Sequence, residues 1–146
     1  MKIDFCNLHL SKSKFMSDKL IRNLFYLAGF INISGTLTFS KFFTNTTLIE
    51  TDPIVMSKFG LIMIIVWGLA FIATANHFDK NKWIIGVFCL EKTAYIIAWV
   101  FWFVNTEYTI NNIFEKDILA GSFYALYGLN DFLFLLFFTY VFFRKN

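Results

Sequence analysis

The sequence predicts an all-α membrane protein: an up-down bundle of four transmembrane helices with both termini cytoplasmic. Three observations lead there. Apolar residues make up 58% of the 146-residue chain and charged residues 16%, against about 45–50% and about 25% in an ordinary soluble domain. Four stretches come close to or exceed the roughly 20 apolar residues that a helix needs to cross hydrocarbon. The Lys and Arg residues fall unevenly on the two sides that those stretches define.

The spans are expected at about 23–41, 59–75, 83–104 and 118–143. In lipid each must be helical, because a lone strand there leaves its backbone groups unsatisfied. The second span is short. The fourth is long enough to tilt or to project. The connections, 42–58, 76–82 and 105–117, read as loops, and short loops favour antiparallel neighbours. Residues 1–22 form an N-terminal segment that is either an interfacial helix or a solvated tail, with Phe15, Met16, Leu20 and Leu24 near one face and lysines around them. Residues 144–146 form a short C-terminus. The first 20 residues show no cleavable signal-peptide pattern.

Orientation follows from basic residues. The N-terminal segment, second loop and C-terminus hold nine Lys and Arg, and the opposite side holds three. The positive-inside rule then puts both termini in the cytoplasm of an inner or plasma membrane. Basic residues do not cluster with aromatics, so nucleic acid is not an expected partner. Cys6 and Cys89 are too far apart in the topology to meet, which predicts neither a disulfide nor a thiolate metal site. No metal and no cofactor is expected. His77 reads as a polar turn residue, and the sequon Asn45-Thr46-Thr47 lies in the outer loop.

The chemistry sits where hydrocarbon should be. Glu91, Lys92 and Asp131 lie near the centres of the third and fourth spans. A charge at that depth costs roughly 2.5–3.5 kcal/mol on insertion scales, so such residues face a bundle interior or a wet cavity. The two spans run in opposite directions, which places Lys92 and Asp131 at similar depth and predicts an ion pair. Glu91 is about 100° around its helix from Lys92 and is expected to point elsewhere, protonated or hydrogen-bonded to Tyr or Asn. Tyr124, Tyr127, Gly128 and Asp131 share one face of the fourth span, and Gly29, Asn32, Gly35 and Thr36 one face of the first. Gly60, Ile64 and Gly68 form a small-residue face for close packing in the second. Together these suggest a central polar cluster of Asn32, Glu91, Lys92, Tyr124, Tyr127 and Asp131, with Trp67 nearby, as ligand- or proton-binding candidates; Trp67, mid-span, is expected to pack inward or to line a pocket.

Asn32–Gly35, Leu90-Glu91-Lys92 with Tyr95, and Gly128-Leu129-Asn130-Asp131, set in four spans, resemble the small four-helix DoxX-like and BphX-like membrane proteins over about residues 24–143. The resemblance implies a four-helix membrane bundle with an accessory role, some members of that group being associated with redox or degradation pathways. It carries no catalytic residue across. The basic N-terminal extension departs from it.

Three functions fit this pattern. The first is an accessory subunit or small-ligand-binding bundle, with a membrane protein partner, a homo-oligomer or a small amphipathic ligand. The second is a small proton-coupled transporter, with Glu91 titrating. The third is an intramembrane lipid-modifying enzyme, with Glu91 or Asp131 as acid or base. No phosphate loop, zinc-helix motif or nucleophile elbow is present, so the balance leans away from an enzyme. The same polar residues could instead only fix helix register.

Overall fold

A computed structural model describes residues 16–144. Six helices occupy that range in the order α1 (Asp18–Phe39), α2 (Thr46–Thr51), α3 (Lys58–Thr74), α4 (Lys82–Asn105), α5 (Ile110–Lys116) and α6 (Ile118–Phe143), and no strand is present among the described residues. The protein is all-α. Helices α4 and α6 are long and apolar enough to cross a membrane, and α3 is apolar but shorter, at 17 residues.

The long helices run alternately up and down. Gly29 and Asn32 of α1 meet Gly68 and Ile64 of α3, so rising numbers on one face falling numbers on the other. Lys92 and Trp99 of α4 meet Asp131 and Tyr124 of α6 in the same sense. Helix α1 closes against α6 through Phe25 on Phe138 and Phe39 on Phe123. The ends of the chain's described part also meet: Arg144 holds Asp18 at 2.5 Å, and the Met16 backbone N–H donates to the Tyr140 hydroxyl.

Small residues set these approaches. A Cβ on Gly29 would lie 2.5 Å from the Gly68 carbonyl oxygen, and one on Gly68 would lie 2.9 Å from that of Gly29. The two backbones therefore touch, as small-residue packing in apolar bundles allows. Gly128 leaves room for the Trp99 ring, which would otherwise sit 2.3 Å from a Cβ.

Helix α1 starts at Asp18, five residues before the expected span. Ser17 caps it by accepting from the Leu20 N–H, as serine does at this position. Residues 18–22 therefore continue the first helix rather than forming a separate element. Residues 1–15, with Cys6 and Phe15, lie outside the described part. The helix ends at Phe39 in a left-handed turn, with φ of 49°, 54° and 68° at Lys41, Phe42 and Phe43. Left-handed backbone costs roughly 1–2 kcal/mol per L-residue, so this turn needs support. It receives it from Asn45, whose Nδ2 donates to the Phe39 carbonyl and to Asp117, and from Lys41, which pairs with Asp117.

Asp117 also caps α6 by accepting from the Ala120 N–H at 2.8 Å. One carboxylate thus ties the end of α1 to the start of α6. Burial alone would raise its pKa, but bonds from Lys41, Ala120 and Asn45 outweigh that and hold it below the ordinary carboxylate value.

Two connections expected to be loops contain helices. Asn45 caps α2 and buries Leu48; Thr109 caps α5 and buries Ile113. Six or seven residues are too few for periodicity to separate helix from loop. Both are held by packing: the Tyr124 hydroxyl donates to the Leu48 carbonyl at 2.8 Å, Trp102 Nε1 donates to the Thr51 carbonyl, and Phe114 covers Gly121.

Two apolar cores result. One gathers Ile21, Phe25, Phe71, Phe88 and Phe138, and the other Leu48, Met56, Leu61, Ile113, Phe123 and Tyr124. In the register of α6, Asp131 falls between Tyr127 of the second core and Phe134 of the first.

Candidate functional site

The site lies where the α1–α3 pair meets the α4–α6 pair. Helix α1 supplies Asn32, Gly35, Thr36 and Phe39; α3 and the turn before it supply Ile64 and Met56. Helix α4 supplies Glu91, Lys92 and Tyr95, and α6 supplies Phe123, Tyr127, Asn130 and Asp131. These residues surround a cavity of about 210 Å³. Gly35 helps to leave it open: a Cβ there would meet nothing closer than the Phe39 ring at 3.9 Å.

Lys92 is the centre of the polar wall. It is 1% exposed, and its Nζ lies 2.7 Å from Asp131 Oδ1 and 3.6 Å from Glu91 Oε1. The ammonium also stands over the face of Phe71, 5.2 Å from the ring centroid, where the ring quadrupole attracts a cation. Asn130 Nδ2 adds a bond to Asp131 Oδ1 at 3.3 Å.

The expected Lys92–Asp131 pair is therefore present. The expectation that Glu91 points elsewhere is corrected. Its carboxylate lies 3.6 Å from the same lysine and borders the same cavity, within reach of a long flexible side chain. Among the described residues Glu91 makes no hydrogen bond to Tyr or Asn, and its buried Oε2 and the buried Tyr127 hydroxyl have no hydrogen-bond partner.

Asn32 borders the cavity and donates from Nδ2 to the Ile64 carbonyl at 3.3 Å. Tyr127 also borders it, stacked on Phe123 with centroids 5.0 Å apart. Two sequence candidates lie elsewhere. Tyr124 is fully buried, stacked on Trp102 at 4.4 Å, with its hydroxyl committed to α2. Trp67 packs edge-on to Phe88 in the first core. Neither lines the cavity. Tyr95 and Thr36 do, and the cluster drawn from sequence omitted them. The signal was there: each is four residues beyond a cluster member, Glu91 and Asn32 respectively, and so on its face.

Two carboxylates facing one ammonium make the wall formally anionic. The rest of the lining is aromatic and aliphatic. Such a site can hold a small amphipathic molecule by a few polar contacts and a larger apolar surface. Among the described residues, no three His, Cys, Asp or Glu side chains converge to hold a metal ion. No family model, curated protein or solved structure matches the chain.

Proposed function

We propose that this chain is an integral protein of the inner or plasma membrane, crossing it four times with both termini cytoplasmic, and that its central cavity binds a small amphipathic ligand. The membrane reading is supported by an inverted distribution of polarity. Glu91, Lys92, Asp131, Asn32 and Thr36 are buried, while Leu27, Phe30, Ile62, Leu69, Leu90, Ile97, Leu129 and Leu133 face outward. Water would favour the reverse arrangement, whereas lipid requires it. The likeness to the DoxX-like group belongs to the same reading and rests on architecture and a few polar positions.

The observation that carries ligand binding is the cavity itself, bordered by a buried carboxylate oxygen and a buried phenol that have no hydrogen-bond partner among the described residues. A cluster serving only to fix helix register would be expected to satisfy its own polar atoms. Native mass spectrometry on protein extracted gently from its membrane tests this. A discrete small-molecule adduct that disappears in Gly35→Leu, which fills the cavity, is the expected result. A bare protein, or one that carries only a protein partner, would favour the accessory-subunit reading instead. A reporter fused to the C-terminus that proved extracytoplasmic would overturn the topology.

The unpartnered Glu91 oxygen also favours a second reading, a proton-coupled transporter with Glu91 as the exchanging group. That reading requires pH-driven uptake into vesicles, abolished by Glu91→Gln.

A further inference from the structure

We infer that the cavity's ligand is a primary organic ammonium, a small amine with an aromatic or aliphatic body, whose N–H donates to Glu91 Oε2. This inference rests on the ligand-binding reading above and narrows it to one chemical class.

Charge points to a cation. Glu91 and Asp131 face the single ammonium of Lys92, which is committed to Asp131 at 2.7 Å and only approaches Glu91 at 3.6 Å. Lys92 is the only basic residue bordering the cavity among the described residues. A buried carboxylate that lacks a full partner is neutralised either by a proton or by a cation, and a bound ammonium is the second of these. An anion would add to the excess.

Hydrogen bonding points to a donor. Glu91 is 7% exposed, and its Oε2 is an acceptor with no hydrogen-bond partner among the described residues. An ionised carboxylate can only accept. A primary ammonium supplies both the charge and the N–H. The Tyr127 hydroxyl borders the same cavity and likewise has no hydrogen-bond partner among the described residues. Tyr95, Tyr127 and Phe123 border the cavity and offer apolar ring surface for the body of the amine.

The cavity has room for a body of modest size. A cavity of about 150 Å³ holds benzene, so one of about 210 Å³ suits a single ring with a short chain. A phosphatidylethanolamine headgroup also carries a primary ammonium. Its phosphate returns the cluster to a net negative charge, so the site is assigned to a free amine.

The test is binding of 2-phenylethylammonium to the purified full chain in phosphatidylcholine nanodiscs by isothermal calorimetry. Three compounds of similar size are run beside it: 2-phenylethanol, a neutral donor; propylbenzene, with no polar head; and phenylacetate, an anion. The amine is expected to bind about tenfold or more tightly than the alcohol, a difference of about 1.4 kcal/mol, with no binding of phenylacetate. Glu91→Gln is expected to bring the amine-to-alcohol ratio close to one. Gly35→Leu is expected to abolish binding of all.

Equal affinity for amine and alcohol would overturn the cationic class while leaving the cavity a ligand site. No binding of any compound to a protein with unchanged thermal stability would overturn the ligand site itself. If Glu91→Gln does not fold, the ratio measured on the native chain still decides. Replacing part of the phosphatidylcholine with phosphatidylethanolamine is expected to leave amine affinity unchanged. Competition by that lipid would overturn the assignment to a free amine.

Discussion

Lys92 and Asp131 meet Nζ to Oδ1 at 2.7 Å across the α4–α6 contact, and Glu91 approaches the same ammonium at 3.6 Å. The three side chains are almost wholly enclosed. The lysine is therefore shared, and its two acidic partners are not equivalent.

That asymmetry predicts unequal losses. Lys92→Met leaves two carboxylates enclosed without a counter-charge, and breaking a buried pair this way costs about 3–5 kcal/mol. Asp131→Asn leaves Lys92 with Glu91 and keeps a side-chain acceptor, so its loss should be nearer the 1–2 kcal/mol of a polar contact between membrane helices, at about that order. Thermal unfolding of the purified protein in one detergent, wild type against both variants, checks the order. Equal losses would show that Glu91 does not share the lysine. In a double-mutant cycle, Lys92→Met with Asp131→Leu should lose less than the sum of the two single changes.

The Asp117 knot predicts an acid-sensitive step at the junction of α1 and α6. Its bonds to Lys41, Asn45 and the Ala120 N–H depress its pKa in the folded chain despite burial. A carboxyl with a lowered folded pKa binds fewer protons folded than unfolded near its ordinary value of about 3.9. Its stabilisation is therefore complete above about pH 5 and disappears as pH falls through the folded value. Asp117→Asn retains a capping side chain but removes the charge. The gap in melting temperature between wild type and Asp117→Asn should be present at neutral pH and close in acid. Asp117→Ala should lose a further ~1 kcal/mol, the value of a helix cap. A gap that widens in acid would contradict this account.

The glycines divide into two kinds, which predicts opposite signs. Gly29 and Gly68 hold α1 against α3, where an added Cβ would approach the facing carbonyl to 2.5 Å and 2.9 Å. Gly29→Ala should destabilise by about 1–3 kcal/mol through overpacking. Gly35, only six residues further along α1, has open space, so Gly35→Ala should be neutral or stabilise by up to about 1 kcal/mol from helix propensity. Melting temperatures of the two variants in the same detergent check both signs at once.

Much of this architecture was legible in the chain. Long, mostly apolar segments specify the helices at 58–74, 82–105 and 118–143 to within a residue or so, because 17 or more residues of mainly apolar sequence between polar ends leave little choice of boundary. Depth alone matched Lys92 with Asp131. What was not legible depended on side-chain length and on short segments. Residue spacing gives the direction of a Cβ, not the reach of a lysine, so Glu91 was placed on the wrong side of its own neighbour. The face shared by Tyr124, Tyr127 and Asp131 says that all three point into the protein. It does not say that α2 fills the space beside Tyr124 and leaves only the others at the cavity, because six residues of helix carry too little pattern to be seen. Trp67 was placed by depth, but its partner turned out to be Phe88 in the apolar core.

Tyr124 offers the sharpest check on this division between structural and site residues. Its hydroxyl donates to the Leu48 carbonyl at 2.8 Å, inside the second core, while Trp102 stacks on its ring and Trp102 Nε1 donates to the Thr51 carbonyl. The phenol and the indole together clamp α2, a helix too short to persist alone. Tyr124→Phe removes one donor and leaves the Leu48 carbonyl buried without that partner, which should cost about 1–3 kcal/mol. The loss should be local. Backbone amides of residues 48–51 should exchange hydrogen faster, while those in the middle of α4 and α6 keep their protection. Binding of amines at the Glu91 cavity should persist, because the ring and its stacking remain. A Tyr124→Phe protein that keeps α2 protected but no longer binds amines would move Tyr124 from the scaffold into the site.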